Sequence, residues 1–522
     1  MNTAEFLNIS TAICPDKTAI IFEGKNFTYN QLNERCNRLA NALSSLGVKK
    51  GDRVAIMQVN CNQYVETYFA TAKLGAIFVP LNFRAKEDEI SYMVQNAEAR
   101  VFLAGDRYLD LAGKIRGSLK VSKYVSIDKP AKDFLYYEEL LSSSSPEEVL
   151  KEVEESDVTI LMYTAGTTGR PKGVPLTHQS FVSYVLGNVE PADPDTKEVN
   201  LLSVPLYHIA GCQAMIAAIY GGRTIAMMRQ FEANEWIELV QKEKANRAML
   251  VPTMLKRIID HPEFDKFDLS SLKVITYGAA SMPFEVIKKA IRVMPNTRFI
   301  NAFGQTETAS TITALGPEDH VLTGSPKEVE KKLRRLSSSI GKPLPDVEMR
   351  VVDEQGKEVP LGEVGEIVAR GPRVMQGYWK DAEKTAKAFT KDGWLKTNDM
   401  GWKDEENYFY LAGRGDDMII RGGENISPEE VENIIGSHPA IEEVAVIGIP
   451  DDEWGQQPVA VVVLKQGVKA TPAEIIEHCR TRLSSFKKPS AVFFVDSLPR
   501  NPMGKVLKRV LRQEYGQAAV GK

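Results

Sequence analysis

Tyr163-Thr164-Ala165-Gly166-Thr167-Thr168-Gly169-Arg170-Pro171-Lys172-Gly173 is the stretch from which the rest of the chain can be read. Glycines at 166, 169 and 173 leave backbone N–H groups open to close approach. Threonine hydroxyls at 164, 167 and 168 donate hydrogen bonds, and Arg170 and Lys172 bring positive charge. Together these features describe a flexible cradle for a polyphosphate. A Walker A loop is excluded, because counting from Gly166 that motif needs glycine at 171, where this chain has proline. The plainer reading is a Gly/Thr-rich hairpin without a ligand.

Outward from the loop the chain alternates helix and strand. Thr28 to Gly47 reads as one helix: Thr28 and Gln31 form a capping box, Leu32, Cys36, Leu39, Leu43 and Leu46 recur at helical spacing, and Gly47 supplies the stop. Val54–Met57, Ala76–Pro80 and Val101–Leu103 read as buried strands, with helices at Tyr64–Leu74 and Glu87–Gln95 between them. Short apolar strands alternating with helices predict an α/β body of mainly parallel sheets. The serine run 142–145 reads as a solvated loop, with Ser145 as the cap and Pro146 as the first residue of a following helix.

From Glu363 to Tyr410 the Gly, Trp and Tyr punctuation predicts short strands, a small β-barrel-like part of the body. The boundary falls near Gly413–Gly415. This divides the chain into a large multi-subdomain body, 1–415, and a small mobile α+β lid, 416–522. Within the lid, strands are expected at 417–420, 444–449, 459–464 and 491–494, and helices at 428–437 and 472–483.

With 65 Lys+Arg against 69 Asp+Glu, the net charge of −4 argues against a nucleic-acid partner. Five scattered cysteines, none in a C-x-x-C pair, point to neither a zinc site nor a disulfide framework. No stretch approaches the ~20 apolar residues of a membrane span, and the first residues lack a signal-peptide pattern. Cytoplasmic residence is the default expectation, and a homodimer stays open.

Further motifs follow in order. They are Phe303-Gly304-Gln305-Thr306-Glu307, Thr397-Asn398-Asp399, Gly413-Arg414-Gly415-Asp416-Asp417 with Gly422-Gly423-Glu424-Asn425-Ile426, and Pro499-Arg500-Asn501-Pro502-Met503-Gly504-Lys505. With the Gly/Thr loop, they resemble the adenylate-forming superfamily of acyl-CoA synthetases, luciferases and peptide-synthetase adenylation domains, over nearly the whole chain. Three positions depart from the family pattern. Ala165 stands for serine, Asn398 for glycine, and Lys488 for a frequent arginine.

The resemblance implies a role for each matching residue. Thr164, Ala165, Gly166, Thr167, Thr168, Gly169 and Lys172 would cradle the phosphates of ATP. Adenine would lie on Gly278, Ala279 and Ala280, stacked by Phe303 and edged by Asn301, Ala302 and Gly304; Tyr277–Ala280 and Asn301–Phe303 both read as strand-to-loop transitions. Asp399 and Arg414 would hold the ribose. Lys505, with Thr306, Glu307 and His208, would carry the chemistry, and Glu307 with Thr167 would hold Mg2+. Lys508 reads as merely solvated.

His208, Ile209, Cys212, Ala279, Ala302 and Thr311 would bound the acyl pocket. No acid stands near His208, which disfavours an amino-acid substrate. Cys212 reads as pocket wall, with no helix start nearby to activate it. Asp416 would be the hinge, and Gly422, Gly423, Trp454, Phe486 and Lys488 would meet CoA.

The implied activity is that of an AMP-forming acid:CoA ligase using ATP, CoA and a carboxylic acid, reversible in principle. The Pro205–Gly211 stretch is most like the benzoate, chlorobenzoate and medium-chain branch. A luciferase-like oxidoreductase and a non-catalytic nucleotide-binding protein are the alternatives.

Overall fold

The computed structural model describes residues 1–149, 151–164, 170–415, 417–422, 424–451, 453–500 and 505–516. Capping and apolar spacing act where expected. Helix Tyr29–Ser45 starts at Thr28, whose hydroxyl accepts the Gln31 N–H while the Gln31 side chain accepts the Thr28 N–H. Leu32, Cys36, Leu39 and Leu43 are buried along it, and Gly47 takes the left-handed conformation.

Seven strands form one sheet in the order Leu135–Tyr136, Lys123–Ser126, Ala99–Ala104, Arg53–Met57, Ile77–Pro80, Val158–Thr164, Lys172–Thr177. Every pairing is parallel except the last, a hairpin. A thirteen-stranded sheet lies beside it. Its parallel part holds Thr18–Phe22, Thr224–Met227, Val199–Leu202, Arg247–Leu250, Val274–Gly278 and Arg298–Gln305. Helices Asn62–Leu74 and Ile209–Tyr220 are almost wholly buried, and the largest core joins them to residues of both sheets, among them Phe78, Ile160, Ile20 and Leu202. Coverage on both faces explains why the strands are near-continuous apolar runs.

The long sheet then turns antiparallel through Ser310–Leu315, Ser339–Pro343, Phe409–Arg414, Leu395–Lys403, Gly365–Arg370 and Glu348–Val352. These are the strands expected to be barrel-like. Among the described residues they form an open, twisted end to the sheet and close no barrel.

Residues 419–494 build a separate five-stranded sheet from Ile419–Arg421, Glu424–Ile426, Ile441–Asp451, Gly455–Leu464 and Ala491–Phe494, with helices Pro428–Gly436 and Pro472–Arg480 against it. Helix Lys508–Tyr515, not expected from the sequence, packs on its other side. No helix begins at Pro146. Arg38 and Asn41 donate to the carbonyls of Ser144, Ser145 and Glu147, and those side-chain bonds hold the segment in an irregular path. The five cysteines are buried and unpaired. No described helix is long and apolar enough to cross a membrane.

Candidate active site

Residues 165–169 of the opening loop, with Asp416 and Gly423, lie outside the described residues. The loop's anchors are described. Thr164 pairs with Lys172 across the hairpin, and the Lys172 ammonium sits 5.1 Å from the centre of the Tyr378 ring. The Tyr378 hydroxyl donates to Glu307 Oε1 at 3.0 Å. Burial and the neighbouring Glu307 charge push the Tyr378 phenol up, so it stays a protonated donor. Two backbone bonds complete the tie: Met375 N–H to the Glu307 carbonyl and Trp379 N–H to the Gly173 carbonyl, both 2.8 Å. The segment 375–379 thus fastens the turn Thr306–Thr308 to the base of the loop. Tyr378 was missed by sequence reading; its signal was the Gly377-Tyr378-Trp379 aromatic pair, taken only as strand punctuation.

Asp399 and Arg414, fifteen residues apart in sequence, face each other across neighbouring antiparallel strands. Arg414 Nε lies 3.0 Å from Asp399 Oδ1, and its Nη1 donates to the Thr397 carbonyl at 2.9 Å. Gln305 completes the group. Its amide nitrogen donates to the Thr397 carbonyl at 2.7 Å and to Asp399 Oδ2 at 3.0 Å. Asp399 is buried, and that burial pushes its carboxyl up, against the opposing pull of Arg414, Lys505 and Gln305. Asn398 sits at φ +56°, a left-handed position that asparagine tolerates almost as glycine does, which accounts for that departure from the motif.

Lys505 enters this group from the C-terminal residues. Its side chain retains exposed area yet stands in a crowded crevice. Crowding pushes its ammonium down and Arg414 adds to this, while Asp399, Asp417 and Glu429 oppose it. Two further bonds hold the C-terminal sheet to the body: Lys256 to Glu442 at 2.6 Å, and Asn433 Nδ2 to the Ser337 carbonyl at 3.2 Å. Lys508 is not solvated as expected. Its side chain is largely buried, 2.7 Å from Glu432.

Gly278 ends its strand paired in register with Ala302, and a Cβ there would lie 2.1 Å from the Ala302 carbonyl oxygen. Ala279 follows at φ +66°, turning the chain away and leaving an open backbone shelf that continues to Ala280. Asn301, Ala302 and Phe303 do not form the expected strand-to-loop transition. Pairing with Ser310–Leu315 on the other side keeps them in strand as far as Gln305. Asn301 Nδ2 donates to the Ser339 carbonyl at 3.3 Å, and Phe303 is half-buried against the antiparallel end of the sheet. Gly304 is obligatory, since a Cβ would meet the Ser310 carbonyl oxygen at 1.6 Å.

His208 caps helix Ile209–Tyr220. It is buried, its Nε2 has no hydrogen-bond partner among the described residues, and burial pushes its pKa down to about 3, so the ring is neutral. Ile209 is buried beside it. Cys212 lies in the first turn of that helix, contrary to expectation. Burial nevertheless raises its thiol, which donates to the Leu206 carbonyl at 2.9 Å, so it remains pocket wall. The helix packs against the strand carrying Thr311, whose carbonyl is held from behind by the fully buried Arg373.

Among the residues expected to meet CoA, Gly422 N–H donates to the Trp454 carbonyl at 2.8 Å, and Gly422 adopts φ +59°. A Cβ there would press on the Trp454 ring at 2.9 Å. Arg421, not singled out in the sequence, joins the set: its guanidinium lies 5.7 Å from the Trp454 ring centre, and Nη1 donates to the Phe486 carbonyl at 2.8 Å. Lys487 is engaged by Glu430 at 2.7 Å, while Lys488 is half-buried.

A nucleotide-sized crevice with a ribose-type carboxylate, and a lysine delivered to it by a second, C-terminal sheet, is the arrangement of an adenylate-forming enzyme. Residues 9–379 match the AMP-binding enzyme family and residues 430–505 the AMP-binding enzyme C-terminal domain, and the chain belongs to this family. Among its relatives, the indoleacetate–CoA ligase of Aromatoleum aromaticum is 33% identical over 516 residues, 98% of each chain. A feruloyl-CoA synthase of an Amycolatopsis species is 34% identical over 503 residues, 96% of each. Of solved structures, an anthranilate CoA ligase in complex with anthranoyl-AMP superposes with a TM-score of 0.90 at 27% identity, covering 100% of this chain and 98% of that one. ATP-bound MatB from Rhodopseudomonas palustris gives 0.87 at 29% identity, covering 99% and 100%.

Proposed function

We propose that the chain is an AMP-forming acid:CoA ligase. In the first step a carboxylate oxygen attacks the α-phosphorus of ATP and pyrophosphate leaves; in the second the CoA sulfur attacks the acyl carbon and AMP leaves. The observation that carries the reading is the convergence of Lys505 on the Asp399–Arg414 pair. Asp399, held by Arg414 and Gln305, accepts the ribose hydroxyls. The shelf 278–280 receives the adenine beside Phe303. Lys505 then stands where negative charge gathers as anion meets anion, and the task of the site is positioning and charge neutralisation.

Glu307 suits Mg2+. A single carboxylate is already oriented through Oε1, and among the described residues no cluster of three acidic, His or Cys side chains competes for the ion. Mg2+ is usually held by one or two carboxylates together with substrate phosphates and water. When bound, the ion would neutralise phosphate charge; Thr167 would be its second protein contact, and Thr306 would line the same turn.

His208, Ile209, Cys212, Ala279, Ala302 and Thr311 bound the proposed acyl pocket, which suits a cyclic, aromatic or medium-chain acid. For the second step the lid, 416–522, would pivot at Asp416 and bring Gly422, Gly423, Trp454, Phe486 and Lys488 to the CoA. The same chemistry runs backward to ATP when acyl-CoA, AMP and pyrophosphate are supplied.

A panel of carboxylates in ATP–pyrophosphate exchange, followed by CoA-dependent AMP release, tests the reading. Exchange with aromatic or medium-chain acids is expected; exchange with none of the acids would refute it. Asp416→Pro is expected to spare exchange and abolish thioester formation, and equal loss of both steps would refute the pivot.

A further inference from the structure

Helix Ile209–Tyr220 reads Ile-Ala-Gly-Cys-Gln-Ala-Met-Ile-Ala-Ala-Ile-Tyr, and Gln213 is its one amide. Gln213 is 4% exposed, and neither its Oε1 nor its Nε2 has a hydrogen-bond partner among the described residues. Leaving one buried polar group unpaired costs about 1–3 kcal/mol, and folded proteins leave few so. An aliphatic side chain would fill the same space without that cost. The amide is therefore explained best by a partner that arrives from outside.

Its position indicates which partner. Gln213 lies one turn beyond Ile209, so the two share a helix face. The helix packs on the strand that carries Thr311. His208, the helix cap, has a second buried orphan atom, Nε2. Five residues separate the two orphans, about 7.5 Å along the helix axis, a span comparable to one aromatic ring with its para substituent. The pocket thus has a polar mark at its mouth and another one ring-length deeper, with apolar wall between.

We infer that Gln213 determines specificity, and that the acid this enzyme activates bears a neutral hydroxyl-type group at the end remote from its carboxylate. An amide both donates and accepts, which matches a hydroxyl. A substituent of either charge would be buried against a group that cannot neutralise it. The inference rests on the acid-ligase reading and narrows it, because an unsubstituted hydrocarbon acid would leave the amide unpaired.

The test compares matched acids in ATP–pyrophosphate exchange: phenylacetate with 4-hydroxyphenylacetate, cinnamate with 4-hydroxycinnamate, octanoate with 8-hydroxyoctanoate. In at least one pair the native enzyme is expected to favour the hydroxylated member by about tenfold or more in kcat/KM. Gln213→Leu is expected to erase that ratio, and Gln213→Met serves if the leucine variant does not fold. No preference for a hydroxylated acid in any pair would overturn the inference. So would a variant that slows both members equally and keeps their ratio, the signature of a structural role; either result leaves the ligase reading standing. Absence of exchange with every acid of the pairs and of the wider panel would instead remove the ligase reading, and this inference with it.

Discussion

Gln305→Leu isolates what positions the ribose site. The Gln305 amide reaches both the Thr397 carbonyl and Asp399 Oδ2, and leucine removes both bonds while nearly preserving volume. A hydrogen bond to a charged group contributes about 1.5–3 kcal/mol. At 1.4 kcal/mol per factor of ten, the loss in ATP recognition is about ten- to hundredfold. It should appear mainly in KM for ATP, because Gln305 touches the carboxylate that binds ribose and not the reacting phosphorus.

The pH dependence gives a second, independent readout. Asp399 accepts ribose hydroxyls only when ionised, and burial already raises its carboxyl while Arg414, Lys505 and Gln305 lower it. Removing Gln305 takes away one lowering influence, so the carboxyl rises further. The acid limb of kcat/KM for ATP must then move to higher pH, and the defect must be largest in acid and shrink as pH rises. ATP–pyrophosphate exchange at saturating acid, run across that pH range on protein whose thermal melt matches the native one, measures both effects. An unchanged KM for ATP, or a defect of equal size at every pH, would refute the reasoning.

Three further perturbations follow from the same geometry. Lys505→Ala should cut exchange by about a hundredfold or more through kcat, leaving KM for ATP nearly constant; retention of most of the native exchange rate would sink its assignment. Tyr378→Phe keeps the ring under Lys172 but removes the hydroxyl donated to Glu307, so the Mg2+ concentration needed for half-maximal exchange should shift several-fold, and an unmoved Mg2+ titration would contradict that role. Lys256→Ala breaks the largely exposed ion pair with Glu442, for which such pairs predict less than about 1 kcal/mol; a fall in thermal stability well beyond that would mean the pair anchors the C-terminal sheet.

What was legible in the sequence depended on the distance over which each feature is determined. The helix at Tyr29–Ser45 was readable because its cap, its apolar stripe and its stop lie within twenty residues and act locally. Asp399 and Arg414 were readable as partners only through their motifs, since the register that joins them belongs to two strands folded against each other. Gln305 and Tyr378 were not readable: each acts on a residue about seventy to ninety positions away, through a side-chain bond that no local pattern encodes. The errors have the same cause. Pro146 carries a fair helix-start signal, which Arg38 and Asn41 override from another helix by taking the backbone carbonyls nearby. Lys508 looks like any surface lysine until helix Lys508–Tyr515 lays it against Glu432. Gln213 is the extreme case. In sequence it is one polar residue in an apolar helix, unremarked beside Cys212, and its meaning lies in what is missing around it, a hydrogen-bond partner within the described chain. Features that stabilise the fold could be found from neighbours in sequence, whereas those that orient or select a substrate are completed across the fold or by the substrate itself.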